Sequence, residues 1–259
     1  MSGNNTQETL LELCGIHKIY EDSDDNKAVL DHIDLKIEKK EFVCILGPSG
    51  CGKTTLMRCV AGFEKFEGTV KVEGKEVTKP GTDRMLVFQD FNQLLPWKSV
   101  LNNVSYPLKK FGIQDKKERE EIAERYLTKV GLGDYKNFYP HQLSGGMKQR
   151  VAIAKALALK PKLILMDEPF ASLDAMTRRK LQKELLKLSK SEDVTFLFIT
   201  HNIQEAIVLG SRILVMGKNG KVKLDLKNNL PQPITPASEG YAEMWDIFNN
   251  ALNEENFEN

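Results

Sequence analysis

A glycine-rich stretch directly after a short apolar run carries the clearest chemistry in this sequence. It consists of Gly47, Pro48, Ser49, Gly50, Cys51, Gly52, Lys53 and Thr54, and Thr55 follows it. The pattern G-x-x-x-x-G-K-[ST] lies between a predicted strand and a predicted helix, which is the context that this phosphate-binding motif requires. Its backbone N–H groups and the helix N-terminus attract phosphate oxygens. We therefore expect Lys53 to reach the β- and γ-phosphates of a nucleotide and Thr54 to bind Mg²⁺.

Two carboxylates follow another apolar run further along the chain. Asp167 and Glu168 come directly after residues 163–166, which are all apolar. At the end of a strand, Asp167 can hold Mg²⁺ through water, and Glu168 can polarise the water that attacks the γ-phosphate. An Asp-Glu-Pro sequence can also simply end a strand. The phosphate loop earlier in the chain favours the catalytic interpretation.

Three further side chains lie at the ends of predicted strands. Gln89 ends one of them, and its amide can contact Mg²⁺ or the attacking water and relay the state of the γ-phosphate. His201 follows another, and its imidazole can donate a hydrogen bond to the γ-phosphate and interact with Glu168. Tyr20 ends a third, and its ring can stack on adenine or pack into the core.

A second sequence suited to anions lies between these regions. It consists of Leu143, Ser144, Gly145, Gly146 and Met147. A helical pattern covers residues 147–157, so the Ser-Gly-Gly turn precedes a helix N-terminus, where backbone N–H groups favour negative charge. The sequence thus predicts two separate phosphate-binding turns in one chain.

Strands and helices alternate around these motifs. Strand patterns cover residues 11–20, 30–37, 42–46, 69–72, 85–89, 163–166 and 195–199, and helical patterns cover residues 53–61, 100–130, 147–157 and 178–188. The alternation predicts an α/β core with a parallel sheet, and the middle helical region reads as an inserted subdomain. After residue 231 the chain is polar, with Trp245, Ile247 and Phe248 as its strong apolar anchors.

Composition excludes several other classes of function. The 259 residues include 37 Lys plus Arg and 36 Asp plus Glu, so the net charge of +1 provides no field that would favour nucleic acid. No apolar run approaches the roughly 18–20 residues needed to span a bilayer, so any membrane role is expected to be peripheral. The N-terminus is polar and resembles no signal peptide. The spacing of the four cysteines suggests reduced thiols rather than disulfides or a metal site.

Together these motifs resemble the ATP-binding subunits of ATP-binding cassette (ABC) transporters over about residues 11–230. The matching positions are Tyr20 (A-loop), residues 47–54 (Walker A), Gln89 (Q-loop), residues 143–147 (signature), residues 163–168 (Walker B), residues 172–174 (D-loop) and His201 (H-loop). The resemblance implies a P-loop NTPase core with a mixed, largely parallel sheet and an N-terminal antiparallel β subdomain. It also implies an ATP-binding domain over residues 1–230, a helical subdomain inserted at about residues 92–158, and a short tail over residues 231–259.

The resemblance further implies a composite site formed by two copies of the chain, with ATP and Mg²⁺ bound between them. Ser144, Gly145 and Gly146 would contact ATP that is held by the phosphate loop of the second copy, and Asp174 would couple the two sites. The implied catalytic residues are Lys53, Gln89, Glu168 and His201. The implied Mg²⁺ ligands are Thr54, Gln89 and Asp167, the last through water.

Two departures from the common family pattern indicate a subgroup. Met147 stands where the signature usually has Gln, and residues 94–97 read LLPW, as in importers of the nitrate, sulfonate, taurine and bicarbonate group. Vitamin-precursor importers are close to this group. Residues 89–97 would face a membrane permease, although Trp97 could instead complete local packing. The implied location is the cytoplasmic face of the cell membrane, in a complex with an extracytoplasmic substrate-binding protein.

Two alternatives and one chemical hypothesis remain open at the level of sequence. The chain could be a soluble ABC ATPase, or a nucleotide-dependent tether that does not transport. Long coiled coils and a second cassette, which mark relatives acting on DNA or in translation, are not found in the sequence. Cys51 lies inside the phosphate loop, where Lys53 and a helix N-terminus can lower a thiol pKa and make it reactive.

Overall fold

The computed structural model describes residues 8–20, 28–88, 93–218 and 220–253. The chain divides into two compact units. We call Met1–Gly81 together with Thr195–Asn259 the first unit, and Thr82–Val194 the second unit. Among the described residues, no helix combines the length and the apolar character that crossing a membrane requires.

The described residues form ten strands and seven α-helices. The strands are β1 (Thr9–Ile19), β2 (Ala28–Glu38), β3 (Phe42–Leu46), β4 (Glu67–Val72), β5 (Lys75–Glu76), β6 (Arg84–Val87), β7 (Leu163–Asp167), β8 (Thr195–Ile199), β9 (Arg212–Met216) and β10 (Val222–Lys227). The helices are α1 (Lys53–Ala61), α2 (Val100–Lys110), α3 (Lys116–Lys129), α4 (Gly145–Leu157), α5 (Ala175–Ser191), α6 (Ile203–Leu209) and α7 (Tyr241–Asn253). Short 3₁₀ turns cover Gly133–Tyr135 and Pro140–Gln142.

The first unit contains an antiparallel sheet with the strand order β2-β1-β4-β5. Leu11 of β1 pairs with Ile37 of β2 and with Val72 of β4, and all three side chains are buried. Residues alternate between the two faces of a strand, so these apolar side chains share the covered face. The predicted N-terminal antiparallel β subdomain is confirmed.

The phosphate loop of the first unit begins from the middle of a second group of strands. β3 lies between β8 and β9 and is parallel to both, and β10 is antiparallel to β9. Ile45 of β3 pairs with Ile199 of β8 and with Leu214 of β9. Every residue of β3 and β8 is buried, as their continuous apolar runs predict. The carboxyl ends of these parallel strands therefore meet at one edge, where α/β proteins bind ligands.

The C-terminal residues form helix α7, which packs against α6 and β9 of the same unit. Phe248 is fully buried, whereas Ile247 is 45% exposed and Trp245 is half-buried beside Tyr241. Of the three predicted apolar anchors, Phe248 is thus the one buried in the fold. The helix itself was not predicted, because the sequence of this tail is largely polar.

The second unit combines a parallel strand pair with four helices. β6 and β7 pair in parallel, with Val87 opposite Met166. Helices α2, α3 and α4 pack on one another, and α4 also contacts β6 and α5. The predicted helical region over residues 100–130 is divided near Gly112, whose φ of 107° lies outside the helical range.

These elements confirm the predicted fold class, an α/β protein with an antiparallel N-terminal sheet and mostly parallel core strands. The strands β5, β9 and β10 and the helices α6 and α7 were not predicted. Helix α5 begins at Ala175 rather than at Arg178, because Asp174 caps it. The inserted subdomain at about residues 92–158 and the domain bounds at residue 230 stay predictions.

Candidate functional site

The phosphate loop joins β3 to α1, as the sequence predicts. Gly52 forms the N-cap of α1 with a φ of 96°, and a β-carbon there would lie 2.5 Å from the carbonyl oxygen of Val29. A β-carbon on Gly47 would lie 2.7 Å from the carbonyl oxygen of Met216. Residue 52 must therefore be glycine both because its backbone is left-handed and because a side chain would collide with Val29. Residue 47 must be glycine because a side chain would collide with Met216.

Lys53 folds its side chain into this loop instead of extending it into solvent. The residue is 7% exposed, and Nζ donates to the carbonyl oxygens of Gly47 at 2.7 Å and Pro48 at 2.8 Å. At the beginning of α1, Thr54 is exposed and Thr55 is half-buried. A positive charge surrounded by a glycine-rich loop is suited to a phosphate group.

The N-terminus of α1 also fits an anion. The first N–H groups of a helix have no acceptor within the helix and carry the positive end of its dipole. Gly52 has no side chain that could accept from them, and the first turn of α1 contains no acidic residue. The exposed hydroxyl of Thr54 is a hard oxygen ligand of the type that Mg²⁺ prefers. The loop thus fits the phosphates of ATP together with Mg²⁺.

His201 lies at the same edge of the sheet as the phosphate loop. The N–H of Thr200 donates to the carbonyl oxygen of Ile45 at 3.1 Å, which continues the ladder between Ile45 and Ile199. Gly47 and His201 each follow this pair by two residues, so they leave neighbouring strands, about 4.8 Å apart, at the same level. The imidazole is exposed and accessible to a ligand.

A buried hydrogen-bond network, which was not predicted from the sequence, holds the chain on both sides of His201. The hydroxyl of Thr200 donates to Glu205 Oε2 at 2.6 Å and accepts from the N–H of Asn202 at 3.0 Å. The side chain of Asn202 caps α6 by accepting from the N–H of Glu205 at 3.1 Å. Asn followed three residues later by Glu is a helix-start signal that could have revealed this network.

Tyr20 directly follows β1 and is half-buried. Lys18 Nζ lies 4.6 Å from the centre of its ring, within the range of a cation–π interaction. The ring is therefore not enclosed in the core, which weakens the packing interpretation. Stacking of Tyr20 on adenine stays a prediction.

In the second unit, the two candidate carboxylates follow the buried residues of β7. Asp167 ends the strand, and both Asp167 and Glu168 are half-buried. Glu168 has a φ of 44°, a left-handed conformation that costs a non-glycine residue roughly 1–2 kcal/mol. Its carbonyl oxygen accepts from the N–H of Ala171 at 3.2 Å, and Phe170 in the same turn is fully buried. The turn thereby fixes the direction in which the Glu168 side chain leaves the strand, and such strain is typical of functional sites.

The signature residues form the beginning of α4. Ser144 is the N-cap, is exposed, and accepts from the N–H of Met147 at 3.3 Å. Gly145 is half-buried and Gly146 is buried, and a β-carbon on Gly146 would lie 2.5 Å from Thr177 Cγ2. The first turn of α4 contains no acidic residue. It is therefore a second helix N-terminus suited to an anion.

Asp174 of the predicted D-loop is tied to the same part of the second unit. Its Oδ1 accepts from the N–H groups of Thr177 and Met176, both at 3.0 Å, and so caps α5. The hydrogen bonds from Thr177 are the main reason why the pKa of Asp174 is lowered. Because Thr177 also touches Gly146, it connects the signature turn to the D-loop.

Trp97 projects from a turn that is held by a buried side chain. Asn103 is 1% exposed, and its amide donates to the carbonyl oxygens of Leu95, Lys98 and Ser99 at 3.1, 2.9 and 3.1 Å. Trp97 is 71% exposed. An indole this exposed does not complete local packing, so that alternative fails, and the turn presents an exposed aromatic side chain.

Gln89 lies outside the described residues, and its role stays a prediction. The residues that flank the undescribed segment are connected to each other and to α4. The side chain of Gln93 bonds the N–H and the carbonyl oxygen of Phe88 at 3.4 and 3.2 Å, and Lys155 Nζ donates to the carbonyl oxygen of Gln93 at 2.8 Å. Burial lowers the pKa of Lys155.

Comparison with known proteins identifies the family of this site. The sequence pattern of the ABC transporter family matches residues 30–171. An uncharacterized ABC transporter ATP-binding protein of Methanocaldococcus jannaschii is 45% identical over 95% of this chain and 92% of its own length. An aliphatic sulfonates import ATP-binding protein of Bacillus cereus is 40% identical, covering 89% of this chain and 90% of the relative. A nitrate import ATP-binding protein of Synechocystis is 41% identical over 89% of this chain and 87% of the relative.

Solved structures show the same similarity. A dimeric ATP-binding cassette in a post-hydrolysis state, bound to ADP and phosphate, is 34% identical with a TM-score of 0.75, covering 85% of this chain and 99% of that chain. A component of an ABC transporter complex from Clostridium perfringens is 28% identical with a TM-score of 0.79, covering 96% of this chain and 97% of that chain.

Proposed function

The chain belongs to the ABC transporter family, and from this premise we propose that it is the ATP-hydrolysing subunit of an importer, which drives uptake of a small solute through a separate permease. The observation that carries the proposal is the presence of two helix N-termini suited to phosphate. One is capped by Gly52 at α1 and the other by Ser144 at α4. Each ATP binds the α1 turn of one copy of the chain and the α4 turn of a second copy.

When bound, Mg²⁺ would supply positive charge that stabilises the β- and γ-phosphates of ATP. The ammonium group of Lys53 leaves the loop carbonyls and binds phosphate oxygens. Thr54, Gln89 and Asp167 would hold the Mg²⁺ ion, Asp167 through water. Glu168 orients and polarises the water, because its strained backbone fixes the direction of its side chain. His201 donates a hydrogen bond to the γ-phosphate from the edge of the sheet that also carries the phosphate loop.

We propose that two copies enclose two ATP molecules. Ser144, Gly145 and Gly146 of one copy bind the γ-phosphate held by the other, because an exposed Ser hydroxyl and a helix N-terminus offer donors to an anion. Asp174 transmits the state of one site to the other through Thr177. ATP binding then closes the pair, and hydrolysis with product release reopens it.

Substitution of Glu168 by Gln tests this proposal. The variant keeps the phosphate-binding groups but loses the carboxylate that activates water, so it should bind ATP and accumulate as a dimer. Sedimentation velocity with and without saturating Mg-ATP measures the dimer. Adding Lys53→Ala to the variant should abolish the ATP-dependent dimer, which makes it the matched control. A Glu168→Gln variant that stays monomeric with saturating Mg-ATP contradicts the composite site.

The permease is proposed to contact the turn that carries Trp97. We propose that the chain lies at the cytoplasmic face of the cell membrane, with an extracytoplasmic substrate-binding protein in the same complex. The relatives named for sulfonate and nitrate import support a small solute of the nitrate, sulfonate, taurine, bicarbonate or vitamin-precursor type. The solute itself does not contact this chain.

Trp97→Ala separates an importer subunit from a soluble or tethering ATPase. In a complex with its permease, the variant should lose most of the permease-dependent stimulation of ATP hydrolysis and should release from the membrane more easily. Phe63→Ala is the matched control, because Phe63 is also an exposed aromatic residue, at 59%, and lies in the first unit. Equal membrane retention and equal stimulation in both variants would favour the non-transporting alternative.

A further inference from the structure

Away from the motifs described above, three potential metal ligands meet on the antiparallel sheet of the first unit. Asp31 Oδ1 lies 2.8 Å from His32 Nδ1 and 3.6 Å from His17 Nδ1. One ligand atom from each residue can be chosen such that all lie within 4.8 Å of one another. We propose that His17, Asp31 and His32 bind a divalent transition-metal ion, for which Zn²⁺ is the best match.

A β-bulge brings these residues together. The register pairs that flank the site are Ile16 with Ile33 and Lys18 with Leu30. Asp31 and His32 therefore both lie opposite the single residue His17, whereas sequence neighbours in a regular strand point to opposite faces. His32 has a φ of 50°, a left-handed conformation that is uncommon for a residue with a side chain. Such a strained position is a reason to expect function at the bulge.

The donor set has the chemistry of a zinc site. Two imidazoles and one carboxylate are common Zn²⁺ ligands, and three protein ligands leave a fourth position for water. His17 Nδ1 is buried and has no hydrogen-bond partner among the residues that the structure describes. Buried ring nitrogens normally have a partner, and a metal ion would supply one. Bonds of about 2.0–2.2 Å place tetrahedral ligand atoms roughly 3.3 Å apart, so small side-chain rotations complete the site.

The positive charge of Lys221 determines which oxygen of Asp31 can bind a metal ion. Lys221 Nζ lies 3.0 Å from Asp31 Oδ2, which leaves Oδ1 facing the two imidazoles. The ammonium group of Lys221 opposes a second cation, so we expect micromolar rather than nanomolar affinity for Zn²⁺.

The position of the site gives the ion a structural role. It would join β1 to β2 close to Val29, whose carbonyl oxygen lies against Gly52 of the phosphate loop. The N–H of Asp31 also donates to the carbonyl oxygen of Gly220 at 3.3 Å, so three segments converge at this point. An ion bound only to the folded chain raises the unfolding temperature. Zn²⁺ should therefore raise it by a few degrees.

The test uses the full chain with any purification tag removed and without nucleotide, so that the phosphate loop holds no metal complex. Zn²⁺ affinity is measured by competition with a chromogenic chelator, and the d–d absorption of bound Co²⁺ reports the coordination number of the site. We expect one ion per chain. His32→Ala and Asp31→Asn should each weaken Zn²⁺ binding about tenfold or more. His32 is suited to this test because its side chain is 70% exposed and its loss leaves no cavity.

His141→Ala is the matched control, since His141 is also exposed and lies in the second unit. It should bind Zn²⁺ like the unmodified chain and keep the rise in unfolding temperature. Zn²⁺ binding that persists in both His32→Ala and Asp31→Asn would overturn the proposal and place the ion elsewhere, for example at the exposed Cys14. The absence of any binding at tens of micromolar Zn²⁺ would overturn it as well.

Discussion

Gly146 lies against Thr177 so closely that a β-carbon on residue 146 would be 2.5 Å from Thr177 Cγ2. The contact joins the first turn of α4 to the first turn of α5 within the second unit. Because Thr177 also donates its N–H to Asp174, one residue touches both the signature turn and the D-loop. Glycine at residue 146 is therefore a packing requirement as well as a means of exposing backbone N–H groups.

Gly146→Ala should lower the free energy of unfolding by about 1–3 kcal/mol, because the added methyl group overpacks this contact. Thr177→Ser removes Cγ2 and keeps the hydroxyl, so the double variant should recover most of the lost stability in urea unfolding. If Gly146 also approaches phosphate, ATP hydrolysis will remain low in the stabilised double variant. A double variant as unstable as Gly146→Ala would show that Thr177 is not the obstacle.

Thr200→Val should disturb His201 by removing the hydroxyl that bonds Glu205. The buried carboxylate of Glu205 then loses a charged hydrogen bond, which costs about 1.5–3 kcal/mol of unfolding free energy. ATP hydrolysis should fall further than stability explains, because the residue before His201 has lost its anchor. Thr200→Ser retains the hydroxyl and should behave like the unmodified chain in both measurements. If Val and Ser variants hydrolyse ATP equally fast, the network does not position His201.

The cap formed by Asp174 predicts an acid dependence of stability. The hydrogen bonds from Thr177 and Met176 lower the pKa of Asp174 below its ordinary value of 3.8. Its contribution is therefore fully present above that ordinary value and is lost as the pH falls through the lower folded-state pKa. Asp174→Asn keeps an acceptor that does not titrate, so the stability gap between this variant and the unmodified chain should change only below about pH 4. Urea unfolding at successive pH values measures this gap.

The reactivity of Cys51 should depend on opening of the phosphate loop. The thiol is 1% exposed and lies 3.7 Å from Lys53 Nζ, whereas Cys14 is exposed. Maleimide should modify Cys14 first and Cys51 only slowly. ATP hydrolysis should be lost at the rate at which Cys51 is modified. Mg-ATP should protect Cys51 but not Cys14, as measured by peptide mass spectrometry on the unmodified chain and on Cys14→Ser. Equal rates at Cys51 with and without Mg-ATP would argue against a thiol at the phosphate site.

Motifs confined to one strand, loop and helix could be predicted from the sequence. The phosphate loop and the carboxylates after β7 are each formed by residues that are close in sequence. The local backbone geometry requires glycine, lysine or acidic residues at fixed spacings, and the sequence shows these spacings directly. The left-handed backbone at Glu168 could not be predicted, because nothing in its residue type requires it. The meeting of His17 with Asp31 and His32 depends on a bulge in strand register, and a single-strand pattern does not record register shifts.

Two of the elements that were not predicted, β9 and α6, are short. The five apolar or charged residues of β9 become a strand because β3 and β10 flank them, and α6 has only seven residues. The seven residues of α6 are too few for a helical period to emerge, whereas β9 is a short apolar run like the predicted β3 and was open to the same prediction. The helix α7 is likewise stabilised by packing on α6 and β9 rather than by its own sequence, of which Phe248 is the fully buried part.

The position of β3 between β8 and β9 has a consequence for biosynthesis. The phosphate loop ends before residue 55, so it is synthesised early. The strand that supports it, β3, acquires its neighbours β8 and β9 only when residue 216 has been synthesised. During synthesis from the N-terminus, most of the chain must therefore leave the ribosome before ATP can bind. Until then the apolar residues of β3 lack their sheet partners, so we expect the nascent chain to be most prone to aggregation in this interval.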